Sequence, residues 1–224
     1  MKFNYEIKYS NRRTVNISVE RDRSIVVRSP KELTEEKIGC IVQSKEKWIL
    51  SKLNDTQKYP LNVVPKEFVS GETLMYLGKN YQLSIVDEEI DGVEFNQQFI
   101  ISKTNKKNAN KLLKDWYYER AKIKIEPTVK RYAEHLGVQY NIIKISDMKY
   151  RWGSCTPSNN VIFNWRIVKA PMYVLEYLVV HELTHLIEAN HTPDFWNIVS
   201  IQIPQYEKAK DWLKQNGYLL EIEF

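Results

Sequence analysis

Residues 172–196 read MYVLEYLVVHELTHLIEANHTPDFW, and the reading of this stretch decides the second half of the chain. Val174, Leu175, Leu178, Val179, Val180, Leu183, Leu186 and Ile187 make it apolar almost all the way round, which predicts a helix inside a domain rather than on its surface. Pro171 suits the start of that helix, and Asn190 can take the left-handed backbone that ends one. Set into the apolar run are His181, Glu182 and His185, spaced as H-E-x-x-H. Two side chains four residues apart lie about 6 Å from each other on one stripe of a helix, close enough for both to reach one tetrahedral zinc. Polar groups buried in such a helix need partners or a metal, which a chance occurrence of the pattern in a polar helix would not.

The third ligand has two candidates. Glu188 falls on the same helical stripe as His181 and His185, but it lies beyond His185, away from the gap between the two rings. His191 sits in a short turn, because Thr192, Pro193 and Asp194 read as the N-cap, first position and first-turn acid of the next helix. A turn can fold His191 back onto a metal, so it is preferred, with Glu188 as the alternative. Three imidazoles leave one position for water, which marks a catalytic zinc rather than a structural one. Glu182, about 100° round the helix from His181, is placed to take the water's proton and pass it to a leaving amine. The chain has 4 His in all; the remaining one, His135, is not needed by a triad complete without it.

The run Arg151-Trp152-Gly153-Ser154-Cys155, then Asn164-Trp165-Arg166, then VVHELTHLIEANHTPDFW, resembles the YgjP-like zinc metallopeptidases. Upstream, KYSNRRTVNISV, Trp48-Ile49 and GETLMYLGKNYQL are similar to the same family, so the resemblance extends over nearly the whole chain. It implies a zinc-dependent peptidase with one zinc per chain, His181, His185 and His191 as ligands and Glu182 as catalytic base. The C-terminal part is also similar to the WLM and SprT-like protease domains that degrade DNA-crosslinked proteins. The histidine spacing matches that of the metzincins, but Glu188 stands where they have glycine, and no methionine follows Met172 to make their Met-turn.

At 224 residues, 43% hydrophobic and 12% aromatic, the chain is long and apolar enough for a sizeable core and is not of the disordered class. It lacks an eighteen-residue apolar run, and MKFNYEIKYSNRRT lacks the apolar core of a signal peptide, so a cytoplasmic protein without a membrane partner is expected. Cys40 and Cys155, far apart and without metal spacing, fit a reducing compartment, with Cys155 read as a buried inert thiol. The net charge is +5. Basic residues crowd the N-terminal strands (Lys8, Arg12, Arg13, Arg28) and the middle (Lys103, Lys106, Lys107, Lys111); a solvated face is preferred over nucleic-acid contact.

Alternation predicts a meander of strands over 3–7, 14–19 and 24–28, then one helix from Thr34 with an apolar stripe of Ile38, Ile41, Val42, Trp48, Ile49 and Leu53. Further strands are expected over 74–77, 81–86 and 95–102, with Gly78-Lys79-Asn80 as a hairpin turn. The polar run 103–108 suggests a boundary, giving a β-rich accessory region over 1–107 and a catalytic domain over 108–224. Helical spacing then leads to a stop at Gly137, with Pro127 expected to kink or divide the helix. Residues 141–148 and 160–164 read as two strands flanking the loop 150–159, and helices are expected over 193–201 and 204–216, the last ended by Gly217.

By resemblance, the hairpin of those two strands is the edge that binds substrate by backbone hydrogen bonds, which brings Arg151, Trp152, Asn164 and Arg166 near the cleft as substrate-binding or oxyanion candidates, beside Tyr150. The arginines could equally tie the loop to an acid such as Glu176, the tryptophans could fill the core, and Gly153 is expected to supply an unusual backbone angle. Asp194 or Glu207 could orient a zinc-bound imidazole, although a helix-start charge is the preferred reading of each. The expected fold is α+β: a β-rich first half, then a zincin-like catalytic domain in which a small sheet carries the H-E-x-x-H helix. The expected function is hydrolysis of peptide bonds by water on zinc, activated by Glu182. Two alternatives stay open: a zinc-stabilised module that binds protein or nucleic acid, and a zinc amidohydrolase acting on a non-peptide amide.

Overall fold

The computed structural model describes residues 3–20, 24–54, 66–148 and 151–221. The chain forms two compact units, Met1–Val64 and Pro65–Phe224. The boundary expected after residue 107 therefore falls inside the second unit. The reason is packing: strands before that point and the long helix after it share one hydrophobic core that includes Leu74, Tyr76, Phe99, Leu113 and Trp116. The class is mixed α+β, and among the described residues no helix is long and apolar enough to cross a membrane.

In the first unit, strands β1 (Tyr5–Ser10), β2 (Asn16–Val19) and β3 (Ile25–Pro30) form a sheet in the order β1-β3-β2. It is not the expected meander, since β1 runs parallel to β3 and only β2 is antiparallel to it. The most apolar strand takes the middle: Ile25, Val26 and Val27 are all buried. The single helix expected here is two, α1 (Glu35–Ser44) and α2 (Glu46–Leu53). Breaking at Lys45 lets Ile38, Val42 and Ile49 reach the core with Val19, Ile25 and Val27, while Trp48 stays exposed.

The second unit begins with strands β4 (Thr73–Tyr76), β5 (Lys79–Val86), β6 (Glu94–Phe95) and β7 (Phe99–Ser102), ordered β4-β5-β7-β6. The β4–β5 turn is the two residues Leu77 and Gly78, both with positive φ (48° and 79°), the arrangement a tight hairpin with right-twisted strands prefers. This tip docks on the segment that leads into the helix carrying His181: Leu77 and Gly78 donate their amides to the carbonyls of Val168 and Lys169 at 3.0 and 2.7 Å. A Cβ on Gly78 would come within 2.6 Å of Pro171, so only glycine allows the approach.

Helix α3 (Ala109–Leu136) runs undivided through Pro127 and ends as expected at Gly137, whose left-handed backbone (φ 65°) closes the last turn. Its buried face packs an aromatic cluster in which Trp116 meets Tyr76, Phe95 and Phe99 edge-on or tilted at 4.9–5.5 Å. Strands β8 (Ile143–Ser146), β9 (Gly153–Cys155) and β10 (Val161–Asn164) make the second small sheet of this unit, ordered β8-β10-β9. The two strands expected to form a hairpin, β8 and β10, are parallel instead, and β9 supplies the antiparallel edge from within the expected loop. Helices α4 (Met172–Thr184), α5 (Pro193–Gln202) and α6 (Tyr206–Glu221) complete the unit. Helix α6 continues through Gly217 rather than stopping there, and Trp152 lies against that glycine.

Candidate metal centre

Helix α4 is as buried as its composition requires: Val174, Leu175, Val179, Val180 and Leu183 are fully enclosed. It ends at Thr184, earlier than Asn190, and Asn190 is not among the residues with positive φ. Turn-type bonds to Leu183 and Thr184 replace the last helical turn, and the Glu188 carboxylate accepts the Asn190 amide at 3.2 Å. Thr192 caps α5 by accepting the Phe195 amide, with Pro193 next, as the sequence predicts. The connection over residues 185–192 brings His191 back to His181 and His185.

His181, His185 and His191 each offer a ring nitrogen, all within 4.8 Å of one another. The Nε2 atoms of His181 and His191 are 3.0 Å apart. Imidazole nitrogens bound to one tetrahedral zinc at 2.0–2.1 Å are separated by about 3.3 Å, so the donor set fits such an ion. His185 faces the Glu188 carbonyl with Nδ1 at 3.2 Å, which leaves Nε2 toward the other two rings. Thus the backbone carbonyl of Glu188 orients the His185 ring while its carboxylate stands outside the cluster. Asp194 and Glu207 form no hydrogen bond to these histidines among the described residues, so neither takes the orienting role considered for it. The Nδ1 of His181 is buried without a hydrogen-bond partner among the described residues.

Burial, then the neighbouring His185 and His191 and the Lys210 ammonium, lower the His181 pKa from 6.5 to about 3. Burial, His185 and Lys210 likewise lower that of His191. Neutral imidazole is the form that binds a metal. Phe195 backs the whole triad, with its ring 5.0, 4.7 and 4.8 Å from those of His181, His185 and His191. Trp196 lies nearly parallel to His191 and to Tyr206, and Lys210 caps it with Nζ 4.3 Å from the ring centre.

Glu182 is 5% exposed. Its carboxyl is pushed up to about 8 by burial, against the opposing pull of the Arg151 guanidinium and a hydrogen bond from the Cys155 backbone. The carboxyl group lies on Gly153: a Cβ there would be 2.6 Å from Glu182 Cγ and closer still to Oε1. Gly153 therefore supplies space, not the unusual angle expected of it, since it is not among the glycines with positive φ. Cys155 is free, and burial followed by the Glu182 charge raises its thiol pKa, in keeping with an inert thiol.

The four substrate or oxyanion candidates part company here. Arg151 is exposed, its guanidinium approaches the Ser154 hydroxyl at 3.5 Å, and its charge reaches Glu182. Trp152 packs on Gly217. Asn164 and Arg166 are 1% and 3% exposed, turned into the protein. Asn164 Nδ2 donates to the carbonyls of Met148 at 2.7 Å and Arg151 at 3.1 Å, and Oδ1 accepts the Arg166 amide at 3.1 Å. Arg166 pairs with Asp147 and lies over Trp165. The loop's acid is thus Asp147, which also binds Lys114 at 2.8 Å, whereas Glu176 pairs with Arg131. Tyr150 lies outside the described residues.

The sequence reading missed Asp147, Lys210 and the edge strand β9. Tyr206 and Lys210, four apart on α6, share a face, a signal that was available. Asp147 and β9 carry no local signature, because their roles depend on partners distant in the chain.

The YgjP-like metallopeptidase domain matches residues 13–216. The chain belongs to this family. No curated protein matches it. Among solved structures, this YgjP-like chain is similar to the metallopeptidase zymogen of Pyrococcus abyssi abylysin, at 19% identity over 40% of this chain and 90% of that one, with a TM-score of 0.38. Membership in a metallopeptidase family implies a metal, and the histidine triad is a place that could bind one.

Proposed function

We propose that this YgjP-like chain is a zinc-dependent peptidase in which His181, His185 and His191 hold the ion and Glu182 is the general base. The observation that carries the reading is a buried carboxyl, adjacent in sequence to one of three convergent imidazoles and held near neutral titration. The all-nitrogen donor set suits zinc, with one tetrahedral position left over. Bound there, zinc would polarise a peptide carbonyl and acidify a water molecule.

Every other step falls to the chain's own groups. Glu182 takes a proton from the attacking water and delivers it to the departing amine nitrogen, and a carboxyl titrating near the working pH can do both. Gly153 and the Cys155 amide hold that carboxyl in place. Strand β9 lies at the edge of its sheet beside Glu182, where an extended peptide would add as a further strand. Arg151 is the candidate left to meet negative charge developing on the carbonyl oxygen, since its guanidinium is exposed and reaches Glu182 electrostatically. The substrate class is therefore peptide or protein.

A zinc-stabilised binding module would account for the triad but not for a desolvated carboxyl beside it, which costs free energy and gives such a module nothing. Replacement Glu182→Gln keeps size and hydrogen bonding while removing the base. It should retain one zinc per chain by elemental analysis and lose peptide cleavage by about 10²–10⁴-fold. Undiminished cleavage would remove the general-base assignment, and a wild-type protein that cleaves only small non-peptide amides would move the reading to an amidohydrolase.

A further inference from the structure

We propose that Asn164 is a positioning residue for Glu182: it ties down the strand on which the carboxyl rests and does not touch substrate. This rests on the reading of Glu182 as the base. Asparagine amides have two N–H donors, and both of those on Asn164 are spent on the carbonyls of Met148 and Arg151, so none is left for an oxyanion. Its Oδ1 is taken by the Arg166 amide, and its own backbone amide donates to the Trp152 carbonyl at 2.8 Å. That last bond extends the β9–β10 ladder one pair past Phe163 and Gly153. The side chain thus fastens Arg151, while the backbone fastens Trp152, the residue that leads into β9.

The consequence reaches Glu182 through contact. Gly153 is the floor under the carboxyl, close enough that even a methyl group there would overlap it, and two residues on, the Cys155 backbone supplies its hydrogen bond. A displacement of β9 by a fraction of an ångström therefore moves both the floor and the donor together. Arg166 and Asp147 stiffen the same segment: the guanidinium, buried against Trp165, grips the aspartate that precedes Met148. The R-W-G-S-C and N-W-R runs, far apart in sequence, are two halves of one clamp. Only asparagine offers donors to two carbonyls and an acceptor to one amide at this place; aspartate would turn oxygen lone pairs toward two carbonyl oxygens.

The test uses zinc-loaded full chain carrying Asn164→Asp or Gly153→Ala, each made alone and together with Glu182→Gln. Steady-state cleavage of a fluorogenic peptide is measured alongside zinc content. The carboxyl ¹³C resonance of Glu182, assigned by its disappearance in Glu182→Gln, is recorded at fixed pH. Each single variant should lose about 10²-fold in kcat with KM nearly unchanged, the scale expected for an ångström-sized misplacement. In the Glu182→Gln background the further loss should be less than about threefold, because the group being positioned is already gone. The Glu182 resonance should move in both single variants.

A rise in KM at constant kcat, losses that multiply in the Glu182→Gln background, or an unmoved resonance would overturn the proposal. If Asn164→Asp does not fold, Gly153→Ala and the milder Asn164→Ser carry the same readouts. A wild-type protein that cleaves no peptide, but whose Glu182 resonance shifts in these variants, would remove the peptidase reading and leave the clamp standing.

Discussion

Phe195 backs all three imidazoles, and truncating it to alanine separates the stability of the fold from the quality of the proposed metal site. The ring is fully buried and lies within 5.0 Å of each histidine ring, centre to centre. Loss of a buried phenylalanine side chain costs about 3–5 kcal/mol. For a unit of this size each kcal/mol lowers Tm by about 2–4 °C, so metal-free Phe195→Ala should melt about 6–20 °C below wild type. A second effect follows from the freedom given to the rings. Weakened support of metal ligands typically reduces affinity by about 10–100-fold. At a free zinc concentration of 100 times the wild-type Kd, zinc stabilises wild type by about 2.7 kcal/mol; a tenfold weaker variant gains about 1.4 kcal/mol and a hundredfold weaker one about 0.4 kcal/mol. Thermal melts at buffered free zinc read both quantities in one series. If metal-free Phe195→Ala is destabilised but its gain from zinc equals that of wild type, the ring is ordinary core packing and the argument that it preorganises the triad is wrong.

Three further outcomes are expected. Asp147, pushed up by burial but drawn down further by Arg166 and Lys114, has a pKa of about 2 in the folded chain against 3.8 ordinarily; a lowered folded pKa means stability present above about pH 4 and lost as pH falls toward 2, and an acid-unfolding series should show that loss flattened in Asp147→Asn. His181, at about 3 against 6.5, is also a lowered case, so metal-free protein should lose stability as pH falls below 6.5, and His181→Asn should lose less over that interval in pH-dependent melts. Glu188→Gln should keep zinc affinity within about twofold by chelator competition, because only the backbone carbonyl of Glu188 meets His185; a tenfold or greater loss would restore its carboxylate as a ligand.

What the sequence by itself determined is whatever depends on neighbours a few residues away. The spacing of His181 and His185, the apolar surround of α4, the Thr192-Pro193 start of α5 and the Gly137 stop of α3 are all consequences of backbone period and capping chemistry, and each is found in the structure. His191 does join His181 and His185, though not from the tight turn expected, since α4 ends at Thr184 and residues 185–192 make the connection. Tertiary structure decided what depends on distant partners. Whether β8 and β10 form a hairpin or a parallel pair turns on where β9 inserts. The extent of the second unit turns on an aromatic core that joins Tyr76, Phe95 and Phe99 to Trp116 across the expected boundary. Asn164 and Arg166 were expected near the cleft because the resemblance made their hairpin the substrate edge, yet both are buried and bonded inward. Gly153 shows the reason most plainly. A glycine is written the same way whether it serves an angle or a space, and only the Glu182 carboxyl lying against it shows that space is what is needed.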